Sequence, residues 1–359
     1  MKVLIRRGYI EMNDPIKHHF IPQFILKNFT HNNDRIYYWN KDKSKIEIRN
    51  TRSVYMVKNL YRDERNHPTD PAIIEKKFAH FESIIAVLFQ EKIIGKDPIV
   101  LTRKENEKLR KFLYLLSFRS STRKQQYIDA NFDEMTKSHL AKYVDNDDYI
   151  DLWLREIEMI LDTDDYQEIS KNESISWTIR TDFWMHLSSY YMTFVTPRGQ
   201  DFIISDIYPT AEIYPLGING ANLYSHYIFP ISPNLLLLLN HIAFKPESAS
   251  PLPMINHMVH LSKIKENAIT PPKAHYKVNG SLNKEDTYTY KLNKIYSSGV
   301  EYINMLMLNE TRKGFSFNDI DRVKNSIEIY QTNEKTKMFN KNDYSKLLTE
   351  IDNNEIMNT

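Results

Sequence analysis

The spacing of apolar residues changes near residue 170, and this change limits the folds that the chain can adopt. Before residue 170, apolar residues recur every three or four positions, which is typical of helices with one buried face. The clearest example spans residues 71–90, with apolar positions at Ile74, Phe78, Phe81, Ile85 and Leu88. After residue 170, short β-prone runs alternate with turn-forming residues. The sequence therefore predicts an α+β protein: a helix-rich N-terminal half with a hairpin, a small antiparallel sheet in the second half, and a closing helix.

Three more segments define the predicted first half. Residues 34–49 contain two β-prone runs around a polar turn and predict the hairpin. Residues 102–126 predict a second helix, which begins at Thr102 with Glu105 completing a capping box. Residues 147–161 predict a third helix.

The second half contains two predicted strand pairs and one predicted helix. The first pair joins residues 191–195 to residues 201–205 through a turn that contains Pro and Gly. The second pair joins residues 224–233 to the leucine-rich residues 235–242. Residues 294–312 return to helical spacing.

The domain organisation follows from the same pattern. We predict a single composite domain over residues 1–330, with a helical part (residues 1–170) and a sheet-containing part (residues 171–330). Residues 331–359 form a polar C-terminal tail that we expect to fray.

Composition excludes several kinds of protein. The chain has no cysteine, so it has no disulfide scaffold, thiol nucleophile, iron–sulfur cluster or cysteine-based zinc site. It has 8 glycines and neither of the glycine-rich phosphate-binding motifs, GxxxxGK[ST] and GxGxxG. No apolar run approaches the ~20 residues that span a bilayer, and the N-terminus does not resemble a secretory signal. We expect a soluble cytoplasmic protein without a membrane partner.

The charges are unevenly distributed along the chain. Residues 1–130 contain 26 Lys and Arg against 15 Asp and Glu, whereas residues 131–170 contain 3 against 12. A basic N-terminal third could attract the phosphates of a nucleic acid. The alternative is a solvated basic face that docks against the acidic stretch. The sequence leaves both interpretations open.

Two adjacent histidines precede a short predicted helix. His18 and His19 come shortly before Pro22, which is well placed to open a helix. Backbone N–H groups at a helix start favour anions, so either histidine could contact a phosphate, ligate a metal or act as a general acid or base. The alternative is that one histidine packs in the core and the other is solvated.

Charged residues also lie on apolar helix faces. Glu75 and Glu82 are seven residues apart, and Glu82 borders the apolar stripe of its helix. Arg119 follows Phe112 by seven residues, which places its stem on a buried face. A buried guanidinium must meet a carboxylate or a phosphate, and Glu82 or Asp206 could supply the carboxylate. The alternatives are a functional site and structural ion pairs.

Ser205 and Asp206 lie at the end of a predicted strand. Polar side chains at a strand end are often placed at a sheet margin, where functional sites are built. Asp206 could ligate a metal or orient a histidine. The alternative is a turn aspartate that bonds to its own backbone.

These residues together resemble a widespread bacterial family whose domain has no known function. HHFIPQFILKNF resembles the opening signature HHxxPxxxLxxF, in which Pro22 is the motif proline. The other segments that resemble the family follow in order: YYWNKDKSKIEIRN, IEKKFAHFE with Glu75 and Glu82, LLSFRSSTR with Arg119, DFIISDIYP with Ser205 and Asp206, FPISP, and VEYINMLML with Asn304. The resemblance covers roughly residues 17–312. The chain has SDIYP where the family usually has SDNP.

The resemblance implies a role in bacterial phage defence. The first hypothesis is an antiphage nuclease acting on RNA or DNA, in which His18 or His19 is the general base. His19, Glu82 and Asp206 would be ligands of a divalent metal, Mg²⁺ or Mn²⁺, and Arg119 would stabilise phosphate charge. A metal-free mechanism with histidine and arginine is the alternative chemistry. The second hypothesis is a non-enzymatic sensor or interaction protein that responds to a phage-encoded trigger.

Overall fold

The computed structural model describes residues 17–31, 34–215, 222–242, 269–270, 280, 282–332 and 344–357. Over these residues the protein contains both helices and strands, which confirms the mixed α+β class. The helices are α1 (Gln23–Lys27), α2 (Ile73–Leu88), α3 (Arg103–Phe118), α4 (Ser121–Ile128), α5 (Glu134–Leu140), α6 (Tyr149–Asp162), α7 (Tyr166–Ile169), α8 (Trp177–Ser188), α9 (Ser297–Glu310), α10 (Ile320–Thr332) and α11 (Ser345–Met357). The strands are β1 (Lys17–His19), β2 (Arg35–Asn40), β3 (Lys45–Asn50), β4 (Met56–Lys58), β5 (Ile99–Thr102), β6 (Tyr190–Pro197), β7 (Ile204–Ser205), β8 (Thr210–Pro215), β9 (Asn222–Ser232), β10 (Leu235–His241), β11 (Ile269–Thr270), β12 (Thr287–Tyr290), β13 (Asn293–Ile295) and β14 (Gly314–Phe317). No helix in the described part of the chain is long and apolar enough to cross a membrane.

The described strands form several sheets rather than the one small sheet and hairpin that we predicted. The largest has five strands in the order β13-β6-β10-β9-β8, and its β13–β6 pair is parallel. A second has four strands in the order β3-β2-β14-β7, and the order of a third is β11-β12-β5. The pair β1–β4 stands alone. Two of these sheets combine strands from both halves of the chain, so the predicted division into a helical and a sheet half holds only in part.

Two of the three predicted strand pairs are confirmed. β2 and β3 form the antiparallel hairpin, and β9 and β10 form the second antiparallel pair. The predicted pairing of residues 191–195 with residues 201–205 is wrong. β6 is buried along most of its length and pairs with β10 and β13, whereas β7 pairs with β14. A fully buried strand needs a partner on each side, and the leucine-rich β10 supplies the longer of the two ladders.

The helical spacing places α2, α6 and α9 close to their predicted bounds. The capping box is confirmed, because Thr102 accepts from Glu105 N–H and the Glu105 side chain accepts from Thr102 N–H. The predicted helix over residues 102–126 is two helices. α3 ends at Phe118 with Arg119 as its C-cap, and the Ser120 side chain caps α4 by accepting from Arg123 N–H at 3.2 Å. A serine bonded to the third residue of a following helix favours a new start over continuation.

Two clusters of buried apolar residues hold the fold together. The first joins α2, α3 and α6 to one face of the five-stranded sheet. The second contains Trp39 and Phe315, together with residues of α9, α10 and α11. Tyr344, Leu347 and Ile351 of this cluster are fully buried, so the described end of the chain is packed, contrary to the fraying that its polarity suggested.

Candidate functional site

His18 packs inside the protein. β1 pairs with β4 so that His18 faces Val57, and the histidine side chain is 1% exposed. Its Nδ1 accepts from Tyr61 N–H at 3.0 Å, and its ring stacks on the Tyr61 ring at 5.6 Å. A histidine held in this way positions the backbone and the ring of Tyr61. The geometry favours the packing interpretation for this residue.

His19 points to the other side of β1, as alternation along a strand requires. Its Nε2 is buried and has no hydrogen-bond partner within the described part of the chain. Burial lowers the pKa of His19, and the charge of Arg119 lowers it further, while backbone groups of Thr51 and Arg52 partly offset this. The imidazole is therefore mostly neutral at pH 7.

Arg119 is the centre of a buried charged cluster. It is 1% exposed, and its Nη1 donates to Glu82 Oε1 at 2.5 Å. Its guanidinium lies over the Phe78 ring at 4.6 Å. Burial raises the pKa of Glu75 to about 7, although the charge of Arg119 opposes this shift. We refer to His19, Glu75, Glu82 and Arg119 as the arginine cluster.

The arginine cluster leaves one edge of its guanidinium unused. Arg119 Nε and Nη2 are buried and find no acceptor among the residues that the structure describes. These two groups form the edge with which arginine binds carboxylate or phosphate bidentately. Tyr61 joins the cluster to His18, because its hydroxyl donates to the Arg119 carbonyl at 3.0 Å. The opening motif, the glutamate helix and the helical arginine thus meet at one place.

Asp206 has a different set of partners. Its carboxylate accepts from Arg312 N–H at 3.0 Å and from Lys313 N–H at 2.7 Å, directly before β14. Burial raises its pKa, and these backbone bonds oppose the shift. Asp206 is therefore a backbone cap for the turn that leads into β14.

Replacing Asp206 by Asn should weaken this cap. Asparagine keeps one acceptor oxygen but cannot accept both N–H groups as a carboxylate does, so we expect a loss of about 1–2 kcal/mol in the free energy of unfolding. Urea denaturation would measure it. The matched control is Asp42→Asn at an exposed position, which should change stability by less than ~0.5 kcal/mol. Equal stability of the two variants would show that the cap is dispensable.

The other family-motif residues have structural contacts. The Pro22 carbonyl accepts from Ile25 N–H and Leu26 N–H at the start of α1. Ser205 Oγ lies 3.0 Å from Thr311 Oγ1. Asn304 is completely buried, accepts from Ile203 N–H, and donates to the Asp201 carbonyl and to Ser326 Oγ. Its amide fastens α9 to the segment before β7.

Metal ligands are not gathered at the positions that we predicted. Over the described ranges, no group of three or more His, Asp or Glu side chains is arranged to hold a metal ion. The predicted set of His19, Glu82 and Asp206 is thus not a coordination site in this arrangement.

A cleft of about 790 Å³ lies between the α3–α4 junction, α8 and the segment that follows β7. We call it the α8 cleft. The residues that line it include Ser117, Ser120, Ser121, Arg123, Tyr127, Thr178, Asp182, His186, Asp206, Tyr208, Tyr227 and Arg312. Two motif segments, LLSFRSSTR and SDIYP, therefore meet at its walls. Arg119 is absent from this lining, but it lies between two lining residues, Ser117 and Ser120, at the junction itself.

A polar stripe on α8 faces the cleft. Thr178, Asp182 and His186 are four residues apart and so lie on one face of the helix. Asp182 accepts from the Tyr114 hydroxyl and from Arg123 Nη2, both at 3.3 Å. His186 is 4% exposed, and burial lowers its pKa to about 3. Neither His186 ring nitrogen, nor Thr178 Oγ1, has a hydrogen-bond partner within the described ranges.

A buried glutamate stands near the cleft. Glu156 of α6 is 0% exposed and accepts from Ser176 N–H at 3.0 Å. Burial raises the pKa of Glu156 to about 7, while the Ser176 N–H opposes the shift. Burial raises the pKa of Tyr127, a residue of the cleft lining, and the Glu156 carboxyl raises it further.

The acidic stretch pairs with the basic N-terminal third. Glu158 and Asp162 both accept from Lys77 Nζ, at 2.7 and 2.6 Å. Arg65 pairs with Asp148 at 3.0 Å. These contacts favour the interpretation in which the basic face docks against residues 131–170.

One comparison with known proteins identifies a family. A family model described as "Protein of unknown function (DUF4238)" matches residues 17–321, and the chain belongs to that family. No curated protein matches the chain. No solved structure matches it either.

The sequence indicates the charged residues of the arginine cluster but not the polar stripe on α8. The prediction of strands and turns after residue 170 is wrong for residues 177–188, where Thr178, Asp182 and His186 follow one another at four-residue intervals. That spacing, read as a helix face, was the available signal.

Proposed function

We propose that this protein is a non-enzymatic sensor in bacterial phage defence and that it binds a small ligand in the α8 cleft. The observation behind the proposal is the position of the cleft, whose walls include two of the segments that resemble the family, at residues 115–123 and 205–209. The arginine cluster adjoins the α3–α4 junction and so fixes one wall from the protein interior. A pocket of several hundred Å³ with a few convergent polar groups suits a small molecule.

The charge of the cleft supports a small ligand over a nucleic acid. Its lining has two arginines, Arg123 and Arg312, against four carboxylates at Asp133, Asp182, Asp206 and Glu310. A nucleic-acid site needs an excess of positive charge to neutralise phosphates. The lining has the opposite excess.

A nuclease is the second candidate, because one observation favours it. His19 offers a neutral, unpartnered Nε2, and Arg119 offers an unpartnered edge, over the part of the chain that the structure describes. A neutral histidine and an arginine are what metal-free cleavage of a phosphodiester requires. These atoms are buried, however, so a phosphodiester could reach them only after the covering residues move.

Filling the cleft tests the sensor proposal. Ser121→Trp, in the first turn of α4, would place an indole in the cleft, and we expect cells carrying this variant in its native defence locus to lose protection against phage. The matched control is Ser83→Trp on the exposed face of α2, which should protect as well as wild type. Full protection by Ser121→Trp, in a protein that still folds, would contradict the proposal.

A cleavage assay separates the two candidates. Purified wild-type protein should leave tRNA, total RNA and plasmid intact, with or without Mg²⁺ or Mn²⁺. Cleavage that disappears in His19→Ala but persists in Ser121→Trp would favour the nuclease and place its site at the arginine cluster.

A further inference from the structure

We infer that the ligand of the α8 cleft is an uncharged nucleoside, recognised by the imidazole of His186 and by Thr178. This inference rests on the proposed ligand-binding role of the cleft. It is carried by three properties of the cleft: its unsatisfied polar atoms, its hydroxyl-rich and aromatic lining, and its excess of negative charge.

The unsatisfied atoms indicate where a ligand is needed. A buried polar atom without a partner costs about 1–3 kcal/mol, so proteins rarely keep several together without a use. His186 Nδ1, His186 Nε2 and Thr178 Oγ1 are three such atoms on one face of α8, as judged over the described residues. Because burial keeps the imidazole neutral, it presents one donor and one acceptor. The N–H and C=O groups on the edge of a nucleobase match that pair.

The rings around His186 suit a flat partner. Tyr114 and Tyr227, which both line the cleft, have ring centroids 5.5 and 5.3 Å from that of His186. Tyr114 donates to Asp182, and Tyr227 is half-buried. The His186 nitrogens are covered, so a base reaches them only when a neighbouring side chain of the cleft changes rotamer, and the aromatic rings beside the imidazole then offer a stacking face.

The remaining lining suits a sugar rather than a phosphate. Serine and threonine hydroxyls line the cleft at Ser117, Ser120, Ser121, Thr122 and Thr136. Those of Ser117 and Thr136 donate to the Tyr114 carbonyl and to Asp133, so toward a ligand they can act as acceptors. Hydroxyls both donate and accept, as ribose hydroxyls do. The carboxylates outnumber the arginines, so a 5′-phosphate would meet net repulsion.

Calorimetric titration of the full-length protein tests the inference. Adenosine, guanosine, cytidine and uridine are the probes, each beside its 5′-monophosphate and beside ribose alone. We expect at least one nucleoside to bind at least about tenfold more tightly than its monophosphate, and ribose not to bind.

Two variants and one control test whether His186 and Thr178 bind the nucleoside. His186→Phe keeps a ring but removes both nitrogens, and Thr178→Val removes one hydroxyl; each should weaken nucleoside binding about tenfold. His80→Phe, outside the cleft on α2, should bind as wild type. If His186→Phe does not fold, the binding constant of Thr178→Val decides.

The failures are distinguishable. Tighter binding of monophosphates, or nucleoside binding that survives both variants, overturns the inference. If no nucleoside binds but another small molecule does and Ser121→Trp blocks it, the inference fails while the proposed sensor role stands. If nothing binds and Ser121→Trp still protects cells, both fail.

Discussion

Glu82→Ala should lower the free energy of unfolding by about 3–5 kcal/mol, because it leaves the buried charge of Arg119 without its carboxylate. The guanidinium is 1% exposed and already has two unpartnered groups among the described residues. Glu75, the other carboxyl of the arginine cluster, compensates only in part, because burial raises its pKa to about 7. Urea denaturation followed by circular dichroism would give the value. Glu91→Gln at an exposed position of the same helical segment is the control, with an expected change within ~0.5 kcal/mol.

Replacing the arginine of this pair should cost less stability than replacing the glutamate. Arg119→Met keeps most of the apolar stem and removes the buried charge, leaving a Glu82 carboxylate whose side chain is 21% exposed and can be hydrated. We expect a loss of about 1–2 kcal/mol. The order of the two variants is the decisive result: a larger loss for Arg119→Met than for Glu82→Ala would mean that burial of the charge is not what makes this pair important.

Glu156→Gln should remove a pH dependence of stability worth about 3 kcal/mol. Burial raises the pKa of Glu156 from 4.5 to about 7 in the folded protein, so the folded state holds a proton that the unfolded state has released. Stability from this group is therefore complete below pH 4.5 and is lost as the pH rises through 7, at about 1.4 kcal/mol for each pH unit.

The measurement is the difference between two curves of unfolding free energy against pH, one for wild type and one for the variant. Burial lowers the pKa of His186 to about 3, which acts in the opposite direction, since its stability is lost as the pH falls. The difference in the free energy of unfolding between wild type and Glu156→Gln contains only the contribution of the glutamate. We expect the stability of the variant to rise relative to that of wild type between pH 5 and pH 8. For Glu173→Gln, at an exposed position, the curve of stability against pH should be parallel to that of wild type. Parallel curves for Glu156→Gln as well would show that the carboxyl ionises normally.

Local order was largely predictable. The apolar positions of α2 are buried at Ile74, Phe78, Phe81, Ile85 and Leu88, as their spacing indicated. The capping box at Thr102 depends only on residues three apart, and the β2–β3 hairpin depends on two adjacent runs. Each of these features depends on residues that are close together in the sequence, so the sequence alone is enough to predict it.

Pairing over long distances was not predictable. β7 is two residues long, and its alternation fits a hairpin with β6 as well as the observed ladder with β14. Short strands carry too little pattern to choose a partner, and the choice is made by the core that forms between them. The break at Ser120 is not evident from the sequence either, because no Gly or Pro interrupts residues 102–126.

The site was predictable in part. The place of Arg119 on a buried helix face predicts that it meets a carboxylate, with Glu82 and Asp206 as the two choices. The structure shows that the partner is Glu82. Asp206 was the other choice, but it meets two backbone N–H groups that no side-chain pattern reveals. The four-residue spacing places His186 on a helix face, but the lack of partners for its ring nitrogens is a property of the packed state, which spacing does not encode.

The four-stranded sheet can be completed only late in the synthesis of the chain. β2 lies near the start of the chain, yet its second neighbour is β14 (Gly314–Phe317), and a Cβ at position 314 would come within 2.1 Å of the Trp39 carbonyl. During synthesis, β2 has only β3 beside it until the last quarter of the chain leaves the ribosome. Contacts so distant in sequence slow folding, and an exposed edge invites association between growing chains. Early termination of translation before Gly314 would thus release a fragment with an open β-edge, a natural substrate for chaperones.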